Sequence, residues 1–220
     1  MDSALSSTIN KFYNGLLDKH GAGTIDALGW NGSESQQKRF EVLAGIGDMN
    51  GKTILDVGCG YGDFLEYIKD RKNIEHYTGI DVNPRMIDEA KKRHDIHSYI
   101  VSLEKGTLEE WRDYHRVQEF DYVVASGIFA VNMTNMKEYV RSTLEMMFRR
   151  CKAGVAVNFL SNYPLRVQPR ENFDRERERY VCRFWPGEIL KIADKISTRY
   201  VLRNDYKEND FTVYIYRRAE

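Results

Sequence analysis

Cysteine is scarce in this chain, with three among 220 residues. Cys59, Cys151 and Cys182 are odd in number and scattered, so neither a disulfide framework nor a zinc knuckle is expected. No metal site is expected, and a reducing cytoplasm is the expected location. Long hydrophobic runs are absent too. No stretch is apolar enough for long enough to span a bilayer, and the amino terminus shows no basic region followed by an apolar run. No excess of charge of one sign exists: Lys+Arg and Asp+Glu both number 33. That balance gives no overall electrostatic footprint for nucleic acid or an anionic membrane, although it does not exclude a local patch. Repeats and low-complexity linkers are also missing. What is present is an ordinary globular composition, 42% hydrophobic and 12% aromatic, in a length that suits one domain with a full core.

The pattern along the chain alternates. Leu5, Ile9, Phe12 and Leu16 fall at helical spacing, which predicts an amphipathic helix over residues 3–17, broken by Gly21-Ala22-Gly23. Ser33-Glu34-Ser35-Gln36 has the form of a capping box and predicts a helix to about Ile46. Apolar strands are then expected at 53–57, 76–81, near 99–103, at 120–125 and at 154–160. Helices at 63–70, 84–93 and 135–149 fall among them. Strands alternating with helices imply parallel βαβ units with helices on both faces. The tail differs: a helix at 187–196 is followed by two strands, 198–206 and 210–217, joined by Lys207-Glu208-Asn209. That is a hairpin, so one strand must run antiparallel. The expected fold is α/β, a single Rossmann-like, doubly wound, mostly parallel seven-stranded sheet with an antiparallel C-terminal hairpin strand. Residues 1–47 are expected to form a helical lid, 48–160 the core, 161–186 a substrate-side loop, and 187–220 the final helix and hairpin.

The segment with the most chemistry is Leu55-Asp56-Val57-Gly58-Cys59-Gly60-Tyr61-Gly62. It joins a strand to a helix. Glycines at every second position allow a sharp turn and close approach to a ligand, because no Cβ intervenes. The spacing departs from the dinucleotide pattern G-x-G-x-x-G, since the third glycine comes one residue early. Asp56 at the strand end would repel an anionic ligand and suits one with a cationic amino group. Further on, Tyr77-Thr78-Gly79-Ile80-Asp81-Val82-Asn83-Pro84 reads as a second strand ending in a carboxylate able to accept two ribose hydroxyls. Asn83 can cap the next helix, with Pro84 in its first turn.

Together these residues resemble the class I S-adenosylmethionine-dependent methyltransferases, with the first motif at Leu55–Gly62 and the second at Gly79–Val82. The likeness covers roughly residues 40–160. It implies S-adenosylmethionine (SAM) as cofactor, held at its methionine part by Asp56, Gly58, Cys59, Gly60 and Gly62, and at its ribose by Asp81 and Val82. Leu103 is expected to pack on the adenine, where many members carry an acid. Ser126 and Gly127, after the fourth strand, are expected beside the transferred methyl, with Phe129 on the substrate side. In the lid, Arg39 is a candidate partner for the cofactor carboxylate, and Tyr13 a candidate substrate contact. Residues 161–186 are rich in aromatics and arginines. Tyr163, Arg166 and Arg170 are candidates to wall and clamp an acidic substrate. The alternating charges from Arg175 to Arg179 read as a solvated helical turn.

None of the five histidines, His20, His76, His94, His97 and His115, follows a strand end where a base would be expected, so no general base is identified. The chain lacks the Asn/Asp-Pro-Pro-Tyr/Phe motif that accompanies base-amine methylation of nucleic acids. The resemblance therefore implies a methyltransferase of the small-molecule branch, acting on oxygen or nitrogen, with an acidic metabolite or a sugar amine as acceptor and neither nucleic acid nor membrane as partner. A nucleic-acid or protein methyltransferase, and a SAM-binding protein without catalysis, are the alternatives. The oligomeric state is left open.

Overall fold

A computed structural model describes residues 3–30, 32–94, 100–110, 119–163 and 180–218. The elements in chain order are helix α1 (Ser3–His20), a 3-10 turn (Asp26–Leu28), α2 (Ser33–Ala44), β1 (Thr53–Val57), α3 (Asp63–Lys69), β2 (His76–Asp81) and α4 (Pro84–Arg93). They continue with β3 (Val101–Lys105), β4 (Phe120–Ala125), α5 (Met136–Arg150), β5 (Cys151–Leu160), α6 (Pro186–Ile196), β6 (Tyr200–Arg203) and β7 (Asp210–Tyr216).

The seven strands form one sheet in the order β3-β2-β1-β4-β5-β7-β6. The first five are parallel, and β7 runs antiparallel to both β5 and β6. The antiparallel strand is thus one place in from the edge, not at it. Its seven-residue register against Gly154–Leu160 makes the last strand in sequence part of the sheet's interior. The order of β1 and its neighbours reverses direction between β1 and β4. In such sheets the crevice outside the carboxyl ends of the strands is where ligands bind.

Burial explains the strand sequences. β1, β2 and β4 are covered on both faces, so they read as near-continuous apolar runs. One face packs Leu55, Val57, Val123, Val155 and Phe211 against Val140, Leu144 and Met147 of α5 and Ile189 and Ile192 of α6. The other packs Ile54, Tyr77, Tyr122 and Val124 against Leu43 of α2, Phe64 and Ile68 of α3, and Ile87 and Ala90 of α4.

Several local expectations need correction. The capping box at Ser33 does not form: Gly32 holds the N-cap position with φ of 99° and no side-chain bond, and Ser33 is already helical. Ser35 instead turns its Oγ to Arg39 Nη1, 2.8 Å away. α1 runs three residues beyond the predicted end. β3 starts at Val101, two residues later than expected, and β5 starts at Cys151, three earlier. The cap at Asn83 does form, its Oδ1 accepting from Arg85 N at 3.0 Å with Pro84 in the first turn. Among the described residues no helix is long and apolar enough to cross a membrane.

Candidate active site

The loop after β1 and the end of β2 are built as one unit. Gly58, Gly60 and Gly62 all have positive φ, at 74°, 56° and 76°, a region that side-chain-bearing residues enter at a cost. Gly58 N and Cys59 N donate to Ile80 O at 2.7 and 3.1 Å. Gly60 N donates to Asp81 Oδ2 at 3.0 Å, and Asn83 N to Asp81 Oδ1 at 2.8 Å. Asp81 therefore ties the glycine loop to the next helix start. The glycines also serve packing within the protein. A Cβ on Gly58 would collide with Ile128 Cγ2, one on Gly62 would lie 2.6 Å from His94 Nε2, and one on Gly60 would stand 3.0 Å from Leu28 Cδ2.

Two carboxylates lie at adjacent strand ends in this crevice. Asp56 is 3% exposed and accepts from Tyr77 Oη at 2.6 Å. Burial pushes its carboxyl from 3.8 to about 7, against the opposing effect of the Tyr77 hydrogen bond; Asp81 and Asp63 add to the rise. Asp81 is also raised by burial, opposed by the amides of Asn83, Gly60 and Val82. Burial of an ionised acid without a cation is unfavourable, so the charged form is disfavoured until a partner arrives.

These groups open into a cavity of about 1970 Å³, well above the usual span of a pocket for one small ligand. Asp56, Gly58, Cys59, Gly60, Asp81, Val82, Ser126, Gly127, Arg39, Tyr13 and Phe129, all candidates from the sequence, line it. Gly62 does not line it; it ends the loop at the α3 N-cap, against His94. Leu103 is also placed elsewhere. It is buried in the core beneath Gly79, opposite which it pairs in the sheet, with Cys59 beside it. Gly106, Thr107, Leu108 and Glu109 line the cavity after β3 in its stead. They are held by a reciprocal cap, Thr107 N to Glu110 Oε2 at 2.9 Å and Glu110 N to Thr107 Oγ1 at 3.0 Å. The Thr-x-x-Glu spelling at 107–110 is a sequence signal for this turn.

Tyr163 lies away from the cavity, 51% exposed, with its ring edge-on to Trp185 at 5.3 Å. Arg166 and Arg170 lie outside the described residues. Phe129 is a wall residue, stacked on Phe159 at 5.2 Å. Arg39 reaches the cavity with its guanidinium already forked onto Asp210, while Lys207 Nζ lies 3.0 Å from the same carboxylate. The hairpin residues Lys207–Asp210 thus enter the site, which the sequence reading missed. So does Asn158, 3% exposed near the end of β5. Its Oδ1 accepts from Gly127 N and its Nδ2 donates to Ser126 Oγ, each at 3.0 Å. A polar residue in the apolar run Val155-Ala156-Val157-Asn158-Phe159-Leu160 was the available signal.

The amino-terminal segment covers the crevice. Asn83 Nδ2 donates to Asn14 Oδ1 at 3.0 Å, and Arg85 pairs with Asp18 at 2.7 Å. Leu17, Ala27, Tyr61 and Met86 form a small core beneath it. Trp30 stands over Gly127, whose Cβ position lies 3.5 Å from the indole.

A family model described as a methyltransferase domain matches residues 54–154, the stretch that carries both strand-end carboxylates. A protein of Mycobacterium tuberculosis named as a methyltransferase is 32% identical over 171 residues, spanning 74% of this chain and 92% of that one. The chain belongs to the class I SAM-dependent methyltransferases. The ubiquinone biosynthesis O-methyltransferase of Shewanella halifaxensis is 26% identical over 160 residues, 68% of this methyltransferase and 64% of that one. The crystal structure of magnesium protoporphyrin IX methyltransferase from Synechocystis PCC 6803 with bound SAM superposes with a TM-score of 0.65 at 14% identity, over 97% of each chain. At that identity the likeness speaks for the fold.

Proposed function

We propose that this methyltransferase transfers the methyl group of SAM to a small-molecule acceptor, an acidic metabolite or a sugar amine, at oxygen or nitrogen. The observation that carries this reading is the size and lining of the cavity. Its 1970 Å³ holds room beyond the cofactor end, and the added wall is built from aromatic side chains together with Arg39, Lys207 and Asp210. Arg39 and Lys207 place two cations in that wall, balanced by Asp210 and Glu208, and set charged donors beside the space for an acidic group on the acceptor.

The residues present fit the cofactor. Asp56 and Asp81 are buried acceptors with no cation beside them among the described residues. Asp56 would receive the amino group, Asp81 the ribose hydroxyls, and the Thr107–Glu109 turn would flank the adenine. Bound SAM supplies an electrophilic methyl on a sulfonium centre. The chain's own part is to hold donor and acceptor in line and keep water out. Asn158 fixes the Ser126-Gly127 loop, and the amino-terminal helices cover the site. Arg39, committed to Asp210, acts here as a wall residue more readily than as a partner for the cofactor carboxylate.

The test is release of S-adenosylhomocysteine during incubation with SAM and separate panels of carboxylic acids, sugar amines, phenols, RNA oligomers and proteins. Turnover on a small acid or amine is the expected result. Turnover on RNA or protein alone would replace the reading. Binding of S-adenosylhomocysteine without turnover on any panel would favour a non-catalytic SAM-binding protein.

A further inference from the structure

One buried hydroxyl lies beneath the cofactor end of the cavity, bonded to the Asp56 carboxylate. Tyr77, near the start of β2, is fully buried, and its Oη donates to Asp56 Oδ2 at 2.6 Å. It is the hydrogen-bond donor to that carboxylate among the described residues. The sheet register makes the contact. Asp56 pairs with Gly79, and Tyr77 lies two residues earlier on the same face of β2, at the diagonal distance that a long aromatic side chain can span. Gly79 puts no side chain between them.

We propose that Tyr77 is a positioning residue, whose hydroxyl holds the Asp56 carboxylate oriented and ionised to receive the cationic amino group of the cofactor. The inference rests on the placement of that amino group at Asp56. The groups facing Asp56 are Tyr77 and Asp81 from β2, Asp63 from α3, and Cys59 from its own loop. On β4 the paired residue is Val124, which brings no charge. Asp63 is itself engaged by Gln36 at 2.9 Å and Arg93 at 3.2 Å. Burial and two neighbouring carboxylates oppose the charge on Asp56; among its neighbours, Tyr77 is the group that favours it. A protonated Asp56 could not form an ion pair with the ligand, so loss of the hydroxyl moves ligand binding to higher pH. A tyrosine that merely fills the core would have no such effect.

The experiment is calorimetric titration with S-adenosylhomocysteine, which carries the same amino group, from pH 5.5 to 8.5. It uses the wild type, Tyr77→Phe and Asp56→Asn. Tyr77→Phe keeps the ring and removes one oxygen, and thermal unfolding without ligand checks its fold and gives a second readout. The midpoint of the rise in affinity with pH is expected to move up by about one pH unit in Tyr77→Phe. Affinity near pH 7 then falls roughly five- to tenfold and recovers to within about twofold of wild type at pH 8.5. The pH dependence of unfolding moves in parallel, and Asp56→Asn flattens both profiles. An unshifted midpoint in Tyr77→Phe, or an equal loss at every pH, overturns the role of Tyr77 while leaving the amino-group placement standing. A wild-type pH profile in Asp56→Asn overturns the placement itself, and the inference with it.

Discussion

Arg39 and Asp210 form a two-point ion pair across 171 residues of sequence, with Nε to Oδ1 at 2.9 Å and Nη2 to Oδ2 at 2.5 Å. Both side chains are almost fully buried, and Trp30 covers the guanidinium at 4.8 Å. The pair fastens α2 to the start of β7 at the rim of the cavity. The fork geometry is one that arginine makes and lysine does not.

Its removal should be asymmetric. Asp210→Leu strands Arg39 in the interior and should cost about 3–5 kcal/mol, the range for an uncompensated buried charge. Arg39→Met leaves Asp210 with Lys207 at 3.0 Å and should cost less, about 1–3 kcal/mol. Urea unfolding of the two variants checks the order. Equal losses would mean that Lys207 does not hold the carboxylate.

Asp81→Ala should weaken S-adenosylhomocysteine binding by about 1.5–3 kcal/mol, the scale of hydrogen bonds to a charged group. The loop bond from Gly60 N is lost as well, so slower closure of the site should accompany the affinity loss. Calorimetry and stopped-flow binding measure the two. Unchanged affinity would remove Asp81 from the cofactor site.

Gly58→Ala should destabilise the protein even without ligand, by about 1–3 kcal/mol for a side chain held at positive φ plus the collision with Ile128. In the background of Ile128→Ala the steric part should disappear and the conformational part remain. A double-mutant cycle by thermal unfolding separates them. Strict additivity would mean that Ile128 moves aside at no cost.

Stability without ligand should fall as pH rises. Asp56 has a folded-state value near 7 against 3.8 as its ordinary value. Between those values the folded state keeps a proton that the unfolded state has released, so each pH unit across the window removes up to about 1.4 kcal/mol. Asp81, raised in the same direction, adds to the trend. Urea unfolding at pH 5 and pH 7.5 should show a smaller drop in Asp56→Asn than in the wild type. Identical drops would assign the titration to other groups.

The strand-end motifs were legible because their information is local. Asp56, Gly58, Gly60 and Asp81 sit within two strand–turn–helix units, and the turn needs those residue types whatever lies around it. Leu103 and Tyr163 were misplaced for different reasons: β3 runs on to Lys105, so Leu103 is a mid-strand residue facing the core, while an aromatic residue in the loop past β5 can face solvent or ligand with the same spelling. Leu103 went under Gly79 because that glycine leaves room there, and Tyr163 went outward onto Trp185.

The sequence by itself determined the alternation of strands and helices, the antiparallel tail and the glycine loop with its two acids. Hydrophobic period, glycine freedom and capping chemistry act over a few residues and leave a readable trace. Only the tertiary structure decided that β7 enters between β5 and β6 and carries Asp210 to Arg39. It alone put the Lys207–Asn209 turn and Asn158 in the cavity wall, and the hydroxyl of Tyr77 beneath Asp56. Those contacts depend on strand order and register, which are set by the packing of both sheet faces together and not by any one segment.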